Sequence, residues 1–156
     1  MKKYLLFLIA ILSVSLTSCS VDDDCGNGFY RVDQFGPANG YFPEDLIIYG
    51  MTGESSILIT SERQFLQEVR GARNFLPQID FSRENLLIGQ VRVRDFRNLA
   101  SSVSLFKESC NYTRDNEVVI TLDVNKGIRN SFLTYNAILP KTSNTKMFVR
   151  VDVIHR

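Results

Sequence analysis

Apolar and polar positions alternate with a period of two through most of the second half of the chain. The clearest run is 117–124. There Val118, Ile120, Leu122 and Val124 share one side, Glu117, Thr121 and Asp123 share the other, and Val119 is the exception. The stretch 146–154 repeats the pattern, with Met147, Val149, Val151 and Val153 on one side and Arg150 and Asp152 on the other. Residues 102–109 alternate moderately, and 132–139 form a nearly continuous apolar run stopped by Pro140. In 86–94, Leu87, Val91 and Val93 fall on one face around Gly89. The other face begins with Leu86 and Ile88 and turns polar at Gln90, Arg92 and Arg94. Side chains alternate across a strand, so these runs predict strands, and a repeated polar face predicts an antiparallel sheet covered on one side. Asn125-Lys126-Gly127 reads as a turn between two of them.

The first half is more broken. Shorter strands are expected at 29–32, 46–49 and 56–60, with the glycines at 50 and 53 turning the last two into a hairpin. Gly50 and Gly53 lack the Lys-Ser/Thr that a phosphate loop requires. A helix is expected from Ser61, whose hydroxyl can cap and which has Gln64 at the capping-box position. Phe65, Leu66 and Val69 would form its apolar face, Arg63, Arg70 and Arg73 its solvated side, and Gly71 and Pro77 its end. Asp80 and Ser82 suit a turn, with one helical turn at 83–85. The fold class is α+β: a mainly antiparallel β-sheet, as a sandwich or half-open barrel, with one covering α-helix.

The N-terminus has a different pattern. Lys2 and Lys3 precede an unbroken apolar run at 4–12 and a polar, small-residue stretch at 13–18. That is the build of a secretory signal and is too short to span a bilayer. It ends Leu16-Thr17-Ser18-Cys19, which resembles the bacterial lipobox. The resemblance implies cleavage before Cys19 and acylation of its thiolate sulfur. At about 0.8 kcal/mol per buried CH₂, several acyl chains make a firm membrane anchor. Asp22, Asp23 and Asp24 follow as a hydrated tether. An acidic run in that position resembles the export signals of some Gram-negative surface lipoproteins. The expected location is therefore the outer membrane, on the cell surface or on the periplasmic face.

Organisation and cysteine chemistry follow. Residues 1–18 are the signal peptide. Residues 19–45 hold the acylated Cys, the acidic tether and a Gly- and aromatic-rich segment that is partly packed. Residues 46–156 are a single α+β domain. The leader removes Lys2 and Lys3, so of 18 Lys+Arg the remaining 16 face 17 Asp+Glu. Such a balance, without a basic block, argues against a nucleic-acid partner. With Cys19 assigned to lipid, Cys25 and Cys110 are left as a pair that an oxidising compartment would join. A bridge between them closes a loop of about 85 residues and contributes roughly 4–5 kcal/mol. Two free thiols are the alternative.

Candidate chemistry is sparse. His155 is the one imidazole, next to the C-terminus, where a solvated side chain is the ordinary state. With one His and no Cys-x-x-Cys the ligands of a transition-metal site are missing, and Asp22 to Asp24 lack the glycine and distal Glu of a calcium loop. No cofactor motif occurs. Asn111-Tyr112-Thr113 matches a glycosylation sequon of another secretory system. Arg92, Arg94 and Arg97, with the loop around Phe96, form a candidate partner-binding patch, because Arg is favoured at interfaces. A solubilising sheet face is the plainer alternative.

The order of helix, Pro77, Ile79-Asp80-Phe81, the 86–89 strand, further strands and Ile138-Leu139-Pro140-Lys141 resembles the C-terminal domain of PrcB-like protease-complex subunits. The resemblance runs over about 56–154, with Phe65 in the helix among the residues that carry it. It implies a non-catalytic protein-binding module, a subunit or regulator of an envelope or secreted protease. The family's Gly-Gly-Tyr-like turn is replaced here by Arg94-Asp95-Phe96-Arg97-Asn98-Leu99, so no binding residues carry over. A structural or assembly lipoprotein, and a hydrolase using an unrecognised carboxylate pair, are the other readings.

Overall fold

The computed structural model describes residues 28–109, 114–142 and 144–156. Cys19, Cys25 and Cys110 lie outside the described residues, as do the leader, Asp22 to Asp24 and the sequon. The elements are β1 (Tyr30–Val32), β2 (Ile47–Ile48), β3 (Ser55–Ile59), α1 (Glu62–Glu68), β4 (Val69–Arg70), β5 (Glu84–Lys107), β6 (Asn116–Pro140) and β7 (Met147–His155). The expected α+β class holds: a mostly antiparallel sheet with one helix, not closed into a barrel.

Two strands dominate. The sequence suggests four segments for 84–140 with turns near 94–99 and 125–127. The chain instead forms one hairpin of a 24-residue and a 25-residue strand. Both supposed turns are bends inside the ladder. Pairing runs from Glu84↔Pro140 to Val93↔Ser131, breaks around Phe96, and resumes from Asn98↔Asn125 to Lys107↔Glu117.

The bend is sharp. Fully extended, β6 would span roughly 80 Å at about 3.3 Å per residue. Yet the six residues after Pro140 return the chain to the start of the same strand, where Met147 pairs with Asn116. The two ends of β6 are therefore within about 20–25 Å of each other, so the hairpin folds onto itself at mid-length. Asn116 holds the closure. It is fully buried, accepts from Ser109 N at 2.8 Å, and donates to Thr142 Oγ1 at 3.2 Å and Asn144 O at 2.6 Å.

The folding-over creates the cores. Leu87, Tyr135, Ala137 and Leu139 from one half of the hairpin meet Phe106, Val118, Ile120 and Leu122 from the other. On the outer face of the first half, Leu86, Ile88 and Ile138 meet Phe65, Val69, Ala72 and Phe75 of the helical region. Residues 133–139 are thus covered on both faces, which explains their unbroken apolar run. The expected one-sided sheet is corrected accordingly: α1 covers one face of one half only. α1 is two turns long. Gln64 N donates to the Ser61 cap at 3.3 Å, and Gln64 Oε1 accepts from Thr60 N at 3.0 Å. Phe65 is fully buried, whereas Leu66 is exposed, so Leu66 leaves the expected apolar face.

Three further expectations change. β2 pairs with β4 and β3 with β5, so no hairpin forms across Gly50 and Gly53. Residues 81–83 are a non-helical turn, with Arg83 N and Glu84 N both donating to Asp80 O. Finally, β7 pairs parallel to β6. β1 pairs with the far half of β5, and Asp33 just after it bridges to Ile138. That stitch joins the two halves along one side. Among the described residues β1, β3 and β7 are outer strands, each with one partner strand, and β7 is the longest of them.

Candidate functional site

The fold gathers its most distinctive surface at the bend. Register is lost where Phe96 pairs with both Arg129 and Lys126. Such a bulge turns a strand and re-aims its side chains. Asp95 takes a left-handed backbone (φ 52°), and its N–H donates to Asn130 Oδ1 at 3.1 Å. Gly127 permits the closeness of the strands. A Cβ there would lie 2.7 Å from Arg97 N, Phe96 C and Phe96 O.

Phe96 is the correction among the sequence-derived site residues. It is 1% exposed and packs with Val93, Val124 and Leu133, so its ring lies beneath the exposed patch and is not part of it. Arg92, Arg94 and Arg97 are exposed. The opposite strand adds residues that the sequence reading missed: Lys126, Ile128, Arg129 and Phe132. Ile128 is 94% exposed and Phe132, paired with Arg92, is 41% exposed. Arg129 lies 5.2 Å from the Phe96 ring centroid and donates to Arg97 O at 3.4 Å. The ring face and the carbonyl thus orient its guanidinium. A lone Ile between cations in Asn-Lys-Gly-Ile-Arg-Asn was the available signal, masked by its look of an ordinary turn.

Charge is uneven here. Segments 92–98 and 125–132 carry Arg92, Arg94, Arg97, Lys126 and Arg129 against Asp95 alone, in a chain whose formal net charge is +1. None of the five cations is in an ion pair among the described residues. Glu54 also lies close, accepting from Arg92 N at 3.0 Å, and its carboxylate offsets part of this charge without forming an ion pair with any of the five. Arg156, at the same end of the molecule, is already paired with Asp123, which also accepts from Ser101 Oγ at 2.8 Å. Neighbouring like charges without counter-ions form a surface of positive potential that an anionic partner can relieve.

Of the other concave places, one is committed to holding the fold. A cleft of about 280 Å³ separates residues 34–44 from the sheet. Its polar groups bond one another: Gln34 Nε2 reaches Ser102 Oγ at 2.8 Å and Ser104 Oγ at 2.7 Å, and Phe35 N donates to Asn136 Oδ1 at 2.7 Å. A shallower cleft of about 410 Å³ is lined by 48–55, Ile57 and Glu68. His155 is exposed at the end of β7, opposite Val124. Among the described residues no group of three His, Cys, Asp or Glu could hold a metal ion, and no helix is long and apolar enough to cross a membrane.

The bend lies far from where the described chain begins. β1 pairs at Ser104–Phe106, and Ser104 is eight residues along β5 from Phe96, roughly 26 Å of strand. Compared with protein families, with curated proteins and with solved structures, the chain matches none of them.

Proposed function

We propose that this chain is a lipid-anchored, non-catalytic protein-binding module of a Gram-negative outer membrane, attached through Cys19 and docking an envelope or secreted protein through the bend of its long hairpin. The observation that carries the reading is the set of five cations, none in an ion pair among the described residues, around exposed Ile128 and Phe132 over the buried Phe96. Arg and apolar anchors on a pre-organised support are the composition of an interaction hot spot. The described chain begins at the β1 end, roughly 26 Å of strand from the bend. A protease is the partner class that the PrcB-like resemblance suggests.

The test is a photo-crosslinking residue at Ile128 of the full chain in intact cells. A discrete protein adduct is expected. It should vanish in R92E/R94E/R97E and persist in R63E/R73E, which reverses charge elsewhere. Adducts that survive the triple reversal would remove the bend from the reading. Separately, acyl labelling that persists in Cys19→Ser would remove the anchor.

A further inference from the structure

β7 is the longest outer strand of the sheet, and along its nine residues one edge has no partner among the described residues. An unpaired edge of that length is a template for another strand. Which main-chain groups it offers follows from its bonds to β6. Asn116 N donates to Lys146 O at 3.0 Å, Arg156 N donates to Val124 O at 2.9 Å, and Lys126 N donates to Arg156 O at 3.0 Å. Residues 146 and 156 therefore turn inward to β6. Alternation sends the N–H and C=O of Met147, Val149, Val151, Val153 and His155 to the open edge.

The sequence of that edge, Met-Phe-Val-Arg-Val-Asp-Val-Ile-His, is self-complementary about Val151. We infer that β7 pairs antiparallel with β7 of a second copy of this chain across a twofold axis at Val151, making a homodimer with one continuous sheet. In that register Val151 faces its own copy, Val149 faces Val153, and Met147 faces His155. All are residues whose main-chain groups point outward, so each becomes a hydrogen-bonded pair. On the solvent face Phe148 falls opposite Ile154, which are 58% and 47% exposed in the single chain. Arg150 falls opposite Asp152. These two already form an ion pair along their own strand at 3.2 Å. The twofold would turn that pair into a square of alternating charge.

The same pattern excludes its neighbours. A slip of one residue sets outward-facing groups against inward-facing ones and forfeits the hydrogen bonds. The nearest slips that keep the bonds place the axis at Arg150 or at Asp152. Each puts like charges directly opposite, which is destabilising. A twofold interface of this kind is isologous and closes at two copies. The two cationic bends then lie at opposite ends of the dimer.

The experiment is sedimentation equilibrium of the full chain in density-matched detergent, with circular dichroism to confirm folding. Wild type is expected to dimerise. R150D sets Asp against Asp, and D152R sets Arg against Arg, so each should bind itself roughly tenfold more weakly. Mixing these two variants restores both opposite-charge pairs and should yield a heterodimer. R150D/D152R should dimerise like wild type. Both side chains are about half exposed or more, at 60% and 47%, so the variants keep the fold. A monomeric wild type, single variants that self-associate like wild type, or a mixture that forms no heterodimer would each overturn the pairing.

Discussion

Replacing Gly127 with alanine probes the bend on which both the fold and the docking surface depend. The new Cβ would sit 2.7 Å from Arg97 N, Phe96 C and Phe96 O. Ordinary contacts between such atoms begin near about 3.5 Å, so the strands must part by about 0.8 Å. All three atoms are backbone, so no flexible side chain can give way. Phe96 hangs from the same peptide and is locked in the core with Val93, Val124 and Leu133, so its backbone resists the shift. Overpacking of this kind costs about 1–3 kcal/mol. Gly127 is not in the left-handed region, so alanine adds no conformational strain and regains about 0.4–1 kcal/mol from a stiffer unfolded chain. The net is a loss of about 1–2 kcal/mol, or a Tm lower by about 4–8 °C for a domain of this size. Gly53 is the comparator: a Cβ at that position would meet no heavy atom within 4 Å, and its φ is not positive. Gly53→Ala should be neutral or gain up to about 1 kcal/mol. Urea unfolding of the full chain, followed by circular dichroism, measures both. Equal stability for the two variants would refute the close approach of β5 and β6.

Other perturbations test separate parts of the structure. Asn116→Ala removes the shared partner of Ser109 N, Thr142 Oγ1 and Asn144 O, and should cost about 2–3 kcal/mol in chemical denaturation; a loss under about 0.5 kcal/mol would show that the clamp does not hold β6 closed. Phe35→Ala removes a buried ring packed on Phe65 and Phe75 at centroid distances of 5.7 and 5.3 Å. It should cost about 3–5 kcal/mol, whereas exposed Tyr41→Ala should stay within about 0.5 kcal/mol. Burial raises the Tyr135 phenol above its ordinary value of 10.0, the charge of Glu54 adds to this, and a hydrogen bond with Ser56 opposes it. Its folded pKa exceeds the unfolded one, so the associated stability is present below pH 10 and lost as pH rises through the raised value. Unfolding free energy measured from pH 8 to 12 should fall less steeply in Tyr135→Phe, and an unchanged slope would assign the fall to another group.

Much of the fold was legible because each face of each strand has one environment. Val118, Ile120 and Leu122 all point between the two halves of the hairpin, and Met147, Val149 and Val151 join them from β7, so period two was visible in both stretches. The Ser61 cap and Gln64 located the helix start because that chemistry is local. Leu66 was misplaced because a seven-residue helix buries Phe65 without needing a wide stripe. The hairpin across Gly50 and Gly53 failed for a different reason. β2 is two residues long, too short to compete with the central ladder, which took β3 as a neighbour of β5 and left β2 to β4. Pairing partners are decided by which edge has bonds to offer, and nothing in a strand's own sequence records that.

The bend shows how a local signal can be correct and its consequence missed. Asn125-Lys126-Gly127 has turn chemistry and Arg94 to Asn98 lacks apolar alternation, so both stretches look like chain reversals. Each does interrupt its strand, but the two interruptions fall opposite each other in the ladder, as the pairing of Phe96 with both Lys126 and Arg129 shows. An irregularity in one strand alone bends a ladder, and matched irregularities in both let the paired ribbon fold over sharply without losing its partner. Residues released from alternation at such a place no longer need an apolar side, and that is where Arg92, Arg94, Arg97, Lys126 and Arg129 collect. Phe96 is the necessary exception: with the ladder broken, its buried ring and the methyl-free approach of Gly127 are what keep the two strands together. Arg97 and Arg129 therefore read as surface chemistry and Phe96 as its foundation. The sequence pattern could not separate these roles, because the distinction lies in which residue of an irregular stretch turns inward.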